Sequence, residues 1–366
     1  MGRQFDLQFA HAMTLDPIPK TMRALVYRGI NDLRLETVPV PRIGPDELLV
    51  KVAACGVCPT DVKKIQYGTV APPRIFGHET AGTVVRIGRL VRGFRVGDRV
   101  ALHHHVPCLK CRACGHRAFA QCGQYKQTGV TAGFEPAGGG YAEYVRVMRF
   151  VLPGVVKIPG RNSFEEGAML EPVNTVLKAV RRLTLLPRDN VLVIGQGPIG
   201  LLFTRLLVLE GMRVAAVDLL KRRARMARTF GAKWTLDSDD YGQLSKHLSP
   251  GNVDAAIVTV PSDEVVSRAQ QCVRDGGQVL LFAHTRRGMK TPMDLADVCV
   301  DEKDVLGSYS ADFTLQKEVA RLVFSRRIDV RSLIRDRFPL SSAATAIHLA
   351  ANPKETSLKI FVCPSQ

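Results

Sequence analysis

The order of hydrophobic and polar positions divides the chain into two parts. From about residue 22 to 170, short β-rich runs such as MRALVYRG, ELLVKVAACGVC and AGTVVRIG are broken by glycine and proline, which is typical of strands joined by turns. From about residue 175 to 306, apolar runs such as VLVIG, RVAAVD and QVLLFA alternate with helical segments. This alternation predicts a parallel sheet covered by helices, so we expect a barrel-like β-domain and an α/β domain.

The C-terminal segment resembles the first part more than the second. After residue 312 it holds one helix-like stretch, LQKEVARLVFSRRI, and ends in SLKIFVCP. We therefore expect residues 22–172 and 312–366 to form one domain and residues 173–311 to form the other. Residues 1–21 form an N-terminal extension, which could be a disordered arm, an arm that docks on a neighbouring subunit, or the product of an upstream start codon.

Composition and charge limit the classes of function. The 366 residues are 46% hydrophobic, enough for two cores. The sequence has neither a long apolar run nor a signal-peptide pattern, which favours a cytoplasmic protein without a membrane span. The net charge of +17 is spread along the chain, which indicates a solvated basic surface and argues against nucleic acid. A phosphorylated or carboxylated substrate, or nonspecific polyanion binding, remains as an alternative.

Four cysteines predict a structural zinc site. Cys108, Cys111, Cys114 and Cys122 have the spacing CxxCxxCx(7)C, which lets one loop of about residues 105–125 close around a metal ion. Four thiolates leave no open position for a substrate. We therefore expect this zinc to stabilise structure and the chemistry to lie elsewhere.

A glycine motif predicts a dinucleotide site. Gly195, Gly197 and Gly200 form GxGxxG directly after an apolar strand and at the start of a helix. The first glycine permits the turn, the second lets the backbone approach a pyrophosphate, and the third lets the helix pack on the sheet. The residues expected to bind the dinucleotide are Gly195, Gly197, Pro198, Ile199, Gly200, Asp218 and Arg223.

Asp218 bears on which dinucleotide binds. It ends the next strand, RVAAVD, about 20 residues after the glycines, where a carboxylate can accept hydrogen bonds from the ribose of NAD. The 2′-phosphate of NADP would meet a like charge, so NAD is favoured. Arg223 keeps the alternative open, because an arginine there could bind that phosphate.

Several further motifs occur together and in order. They are CGVCPTD, GHETAG, GDRV before the cysteine lobe, GGGYAEYV, an EP pair at residue 171, and GQGPIG. With them the chain resembles the zinc-dependent medium-chain alcohol dehydrogenases, and the EP pair makes it similar to the sorbitol, threonine and butanediol dehydrogenase branch. The resemblance implies a GroES-like β-barrel catalytic domain and a Rossmann domain.

The resemblance also implies a second, catalytic zinc. Cys58 and His78 match its first two ligands, and either Glu79 or Glu171 is the third. A closed ligand set would leave no place for substrate, whereas three protein ligands leave one position open. Thr60 matches the hydroxyl that passes the proton of the alcohol toward the cofactor. Zinc acting as a Lewis acid would lower the pKa of the bound alcohol, whose carbon then gives hydride to the nicotinamide.

Two positions depart from the family pattern or extend it. Many relatives carry histidine five residues after the ligand cysteine, where this chain has Lys63; a lysine exchanges protons near neutral pH only if its pKa is lowered. His104 corresponds to a position that can line the substrate pocket. Its neighbours His103 and His105 would point to the opposite face of a strand, so the three cannot bind one ion.

The motifs together predict an enzyme that interconverts a secondary alcohol or polyol with its ketone, using NAD and two zinc ions per chain. Within enzymes, the alternative is a carbonyl reductase of the same fold that works reductively. From another class, the alternative is a zinc-containing polyanion binder that uses the +17 charge. A homodimer or homotetramer is expected from the resemblance.

Overall fold

A computed structural model describes residues 17–103, 106–124, 138–236, 244, 253–283, 288 and 290–365. The strands are β1 (Thr21–Gly29), β2 (Asp32–Pro39), β3 (Leu48–Gly56), β4 (Arg74–Ile75), β5 (Glu79–Ile87), β6 (Arg99–Ala101), β7 (Tyr144–Val147), β8 (Val156–Lys157), β9 (Asn190–Ile194), β10 (Arg213–Val217), β11 (Trp234–Leu236), β12 (Val253–Val258), β13 (Val273–Leu281), β14 (Asp304–Gly307), β15 (Ile334–Pro339) and β16 (Lys359–Cys363).

The α-helices are α1 (Pro59–Tyr67), α2 (Arg112–Gly115), α3 (Phe164–Ala168), α4 (Leu170–Val180), α5 (Pro198–Leu209), α6 (Lys221–Thr229), α7 (Asp263–Cys272), α8 (Leu295–Cys299), α9 (Gln316–Phe324) and α10 (Ala343–Ala351). Short 3-10 helices span Phe119–Gln121, Arg149–Gly154, Phe313–Leu315, Arg331–Leu333 and Leu340–Ser342. None of the described helices is long and apolar enough to cross a membrane.

The second part of the chain folds around a six-stranded parallel sheet. Its strand order is β11-β10-β9-β12-β13-β14, and every adjacent pair is parallel. The residues of β9 are all buried, as expected for a strand covered by helices on both faces. The strand order reverses beside β9, which leaves a crevice at the carboxyl ends of β9 and β12. The predicted α/β fold with a Rossmann sheet is confirmed.

The first part of the chain is built from antiparallel strands, joined by strands from the C-terminus. A seven-stranded sheet has the order β15-β16-β3-β5-β6-β8, with β7 paired to β3, and a three-stranded sheet has the order β2-β1-β4. In the larger sheet β16 pairs with β3, so that Phe361 lies opposite Gly56. The last strand of the chain is thereby placed beside the strand that leads to Cys58.

One segment differs from its sequence interpretation. The run SDEVVSRAQQCVRDGG suggests a helix throughout, but α7 ends at Cys272 and β13 begins at Val273. Val273 pairs with Val253 of β12, and Gln278 pairs with Asp304 of β14. Val273 thus pairs with β12, and the Gly276 N–H donates to the Asp301 carbonyl at 2.8 Å, so backbone groups at the end of this run find partners outside a helix.

Candidate active site

Cys58 lies where β3 meets α1. It is the N-cap residue of that helix, in extended conformation, and Pro59 occupies the first helical position, where its missing N–H costs nothing. The Cys58 Sγ accepts a hydrogen bond from the Thr60 N–H at 3.4 Å. A helix N-terminus favours negative charge, and the Cys58 sulfur lies at this one.

His78 and Glu79 converge on Cys58 from the start of β5. One possible ligand atom from each of the three residues lies within 4.8 Å of the others. The turn before them requires glycine: Gly77 has φ +99°, and a Cβ there would lie 2.7 Å from the Cys55 Sγ. A thiolate, an imidazole and a carboxylate are the donors that zinc takes in catalytic sites, so these residues fit the metal.

Asp61 fixes the orientation of the His78 ring. Its Oδ1 lies 3.2 Å from His78 Nδ1, and its Oδ2 accepts weaker bonds from the Gly77 N–H at 3.3 Å and the Tyr141 hydroxyl at 3.4 Å. Burial opposes the charged ring, but Asp61 and Cys58 outweigh it and raise the pKa of His78. With Nδ1 directed at Asp61, Nε2 is the nitrogen available to a metal. Asp61 has no place in the sequence prediction, although it lies three residues after Cys58.

Lys359 brings a buried positive charge to Glu79. Its Nζ donates to Glu79 Oε1 at 2.6 Å and to the Val57 carbonyl at 3.0 Å, and it also contacts Glu79 Oε2. Both side chains are buried. Gly56 leaves room for the pair, since a Cβ there would lie 2.0 Å from Glu79 Oε2. Lys359 has no place in the sequence prediction; its sign in the sequence is a lysine that opens the apolar strand KIFVC.

Glu171 is the second buried carboxylate of the site. It lies in the first turn of α4, which has no side-chain N-cap bond. Burial raises its pKa to about 7; the positive charges of His78 and Lys359 oppose this shift, and the negative charge of Glu79 adds to it. Glu171 therefore faces the same charges as the other site residues, but it is not part of the group of three within 4.8 Å.

The remaining predicted residues of the catalytic region lie on α1 or outside the described part of the chain. Thr60 is in the first turn of α1, and its backbone N–H contacts Cys58. Lys63 is half-buried on the same helix; burial lowers its pKa, and the charge of Cys58 opposes that shift. His104 lies outside the described residues.

The glycine motif forms the turn between β9 and α5. Gly195 has φ +92°, a backbone conformation that favours glycine. A Cβ on Gly200 would lie 1.8 Å from the Gly195 carbonyl oxygen, whereas a Cβ on Gly197 would meet no atom within 4 Å. Gly197 caps α5, and Pro198 and Ile199 begin it. The N–H groups at this helix start face the crevice in the sheet, a favourable site for a pyrophosphate.

Asp218 lies at the carboxyl end of β10, next to this turn. Its Oδ2 accepts a hydrogen bond from the Gln196 N–H at 2.7 Å, and its Oδ1 accepts one from the Leu220 N–H at 2.8 Å. Each carboxylate oxygen keeps a further lone pair for a ribose hydroxyl. Arg223, in the first turn of α6, donates instead to the Ser357 carbonyl at 3.2 Å.

The four lobe cysteines lie together, away from Cys58. Their sulfur atoms are all within 4.8 Å of one another. Cys114 Sγ lies 3.9 Å from Cys108 Sγ and 3.5 Å from Cys111 Sγ. Sulfurs around a tetrahedral zinc at about 2.3 Å are about 3.8 Å apart, so the cluster fits the ion.

Comparison with known proteins agrees with both parts of the fold. Residues 44–160 match the alcohol dehydrogenase GroES-like domain, and residues 198–325 match the zinc-binding dehydrogenase family. The chain is 30% identical over 355 residues to sorbitol dehydrogenase of Bombyx mori (93% of this chain, 98% of that one) and 28% identical over 358 residues to sorbitol dehydrogenase of Bacillus subtilis (95% and 99%). A zinc-binding dehydrogenase from Sinorhizobium meliloti, solved bound to NADP, superposes with a TM-score of 0.85 at 28% identity, covering 94% of this chain and all of that one.

Proposed function

The chain belongs to the zinc-dependent medium-chain alcohol dehydrogenases, and we propose that it interconverts a secondary alcohol group of a polyol with the corresponding ketone, using NAD. The polyol class is supported by the similarity to two sorbitol dehydrogenases over nearly their whole length. The observation that carries the chemistry is the convergence of Cys58, His78 and Glu79 within 4.8 Å.

In this proposal Cys58, His78 and Glu79 hold the catalytic metal, and Asp61 keeps the His78 ring in place. Bound zinc supplies a Lewis acid that makes an alcohol easier to deprotonate. The Thr60 hydroxyl accepts the alcohol proton and passes it on, as its place beside Cys58 permits. Glu171 is the second carboxylate; its pKa responds to the charges of His78 and Glu79, and in this proposal it can replace Glu79 as the third ligand.

The lobe cysteines hold a second zinc, which gives two ions per chain. Four thiolates close that site, so it takes no part in proton or hydride transfer. We also propose a homodimer or homotetramer in the cytoplasm. Light scattering on the metal-loaded protein measures the assembly, and a monomeric mass would reject it.

NAD is the proposed cofactor because of Asp218. Its carboxylate is held by the Gln196 and Leu220 N–H groups, so it cannot easily turn away from a 2′-phosphate. The Arg223 guanidinium donates to the Ser357 carbonyl. It therefore has less hydrogen-bonding capacity for the 2′-phosphate of NADP than a free arginine facing the crevice would have. Asp218→Asn should reduce the preference for NAD over NADP.

The test is a screen of NAD reduction over sugar alcohols, diols, amino alcohols and cyclitols, with the reverse reaction measured on the matching ketones. We expect turnover with at least one polyol, two zinc ions per chain and a higher kcat/KM with NAD than with NADP. A protein with two zinc ions that oxidises only simple monohydric alcohols would reject the polyol proposal, and a preference for NADP would reject the role of Asp218.

A further inference from the structure

Residues 311–316 contact the cysteine lobe on one side and α4 on the other. The Phe313 ring packs edge to face on Phe119, with ring centroids 5.6 Å apart and an interplanar angle of 69°. Phe119 and Phe313 belong to the same small apolar cluster as the lobe cysteines. Closing the lobe around its metal therefore also fixes the surface on which Phe313 rests.

The same segment is bound to α4 through the Asn174 amide. Asn174 Nδ2 donates to the Asp312 carbonyl at 3.0 Å and to Gln316 Oε1 at 2.9 Å, and its Oδ1 accepts from the Asp312 N–H at 2.8 Å. Asn174 is 0% exposed. A buried amide with both donors and its acceptor in use is costly to displace, because any movement leaves polar groups without partners.

Two further contacts reinforce this connection. Lys178, one turn after Asn174 on α4, donates from Nζ to the Tyr309 carbonyl at 2.6 Å. His103, two residues after β6 and ahead of the lobe, lies beside Gln316, which partly offsets the lowering of the His103 pKa by burial. The lobe and α4 thus meet the same short segment at several points.

Glu171 lies on α4 three residues before Asn174. Residues three apart lie on the same side of a helix, so a movement of Asn174 moves Glu171 as well. The start of α4 has no side-chain cap, so the Asn174 contacts, one turn further on, add to the burial of Leu170 and Val173 in fixing its position. Glu171 is buried at the catalytic centre, where it faces His78, Glu79 and Lys359.

We propose that Phe313 and Asn174 are positioning residues that connect the cysteine lobe to the catalytic centre by holding α4, and with it Glu171, in place. This inference rests on the proposed function, because it takes Glu171 as a working carboxylate of the metal site. The lobe then has a second task besides stabilising its own loop.

The test is a double-mutant cycle on the metal-loaded enzyme. Phe313→Ala and Asn174→Ala should each lower kcat about tenfold, since small misplacements of a working group cost that much or more. In a Glu171→Gln background each should lower kcat less than about twofold, because the group they position is already gone. Cobalt bound in the catalytic site reports on ligand geometry through its visible spectrum, independently of activity. This spectrum should change in both variants.

Gln278→Ala is the matched control. Gln278 is a buried amide of β13; its Oε1 accepts from the Thr184 N–H at 2.6 Å and its Nε2 donates to Asp304 Oδ2 at 3.1 Å. Neither contact involves the lobe, residues 311–316 or Glu171, so kcat and the cobalt spectrum should stay as in the wild type. If Phe313→Ala does not fold, Phe313→Leu serves in its place, with a smaller decrease expected.

If Phe313→Ala and Asn174→Ala both leave kcat and the cobalt spectrum unchanged, the inference is wrong. It is also wrong if they lower kcat by the same factor in the wild-type and the Glu171→Gln backgrounds. Wild-type protein that binds cobalt at both sites but oxidises no polyol would reject the proposed function. The cobalt spectra of the Phe313→Ala and Asn174→Ala variants would still show whether the lobe is connected to the catalytic centre. Wild-type protein that binds one metal ion per chain would overturn both.

Discussion

The two metal-competent sites are built in opposite ways. The lobe takes four ligands of one kind from a single loop, Cys108 to Cys122. The proposed catalytic centre combines a thiol at the start of α1 with an imidazole and a carboxylate at the start of β5. It adds a second carboxylate from α4 and a lysine from β16. Its buried side chains are supported by Asp61 and Lys359, whose contacts join distant parts of the chain.

The difference follows from what each site must do. A closed set of thiolates needs only a short loop and contributes directly to folding. An open site must leave room for substrate and hold unlike groups in fixed places, which takes a packed scaffold around it. Mutations in the lobe should therefore lower stability more than activity, and mutations at the catalytic centre should lower activity more than stability.

Cys58→Ala should have the largest effect on activity. Loss of this ligand should lower kcat/KM by about 10³-fold or more, because the Lewis acid is lost with it. Folding should be retained, since the neighbouring backbone bonds remain. NADH absorbance and metal analysis measure the outcome; two tightly bound zinc ions with nearly full activity would contradict it.

Cys111→Ser should show the reverse pattern. We expect the free energy of unfolding to fall by at least about 3 kcal/mol, because metal binding contributes to folding at such a site, while the protein that remains folded keeps activity within about tenfold. Denaturant unfolding provides the measurement. Cys299→Ser, at an exposed cysteine, is the control, and a stable but inactive Cys111→Ser protein would reverse the comparison.

Lys359→Met should destabilise the metal-free protein by about 3 kcal/mol, because Glu79 would be left as a buried charge without its partner. Zinc can supply the missing positive charge, so the loss should be smaller in the metal-loaded protein. Lys157→Met is the control: the Lys157 side chain is 51% exposed where it pairs with Asp98, and a pair with one partner in solvent should contribute at most about 1 kcal/mol. If the variant loses the same free energy of unfolding with and without zinc, the charge of Lys359 is not linked to metal binding.

His103 should make the lobe side of the molecule sensitive to acid. Burial lowers its pKa to about 4, and Gln316 and Asp312 offset this only in part. The folded pKa lies below the unfolded value of about 6.5, so stability is full above that pH and falls as the pH drops toward 4, by about 2–3 kcal/mol. His103→Gln should reduce this loss in unfolding curves across that range, whereas His348→Gln, at an exposed histidine, should leave it unchanged.

Lys63→Ala should have the smallest effect. The side chain is half-buried near Cys58, and its pKa is lowered mainly by burial. If water carries the last step of the proton transfer, the variant changes the pH profile of kcat by less than about tenfold. A loss as large as that of Cys58→Ala would assign Lys63 a direct part in proton transfer.

The sequence by itself determined the features that depend on short spacing. The four lobe cysteines and the three glycines of the GxGxxG motif lie within 15 residues or fewer, and local geometry leaves few other uses for such patterns. The parallel sheet also followed from the alternation of strands and helices. The extent of α7 did not, because Val273 pairs with β12 and the residues after it run on into β13.

Only the tertiary structure decided which distant residues meet. Lys359 reaches Glu79 across 280 positions, and Asn174 reaches Asp312 across 138, and a lone lysine or asparagine carries no sign of such a contact in the sequence. Periodicity tells which face of an element is buried, but not which other element covers it. The buried charges at the catalytic centre, and the connection from the lobe to Glu171, are fixed by packing between elements that are far apart in the chain.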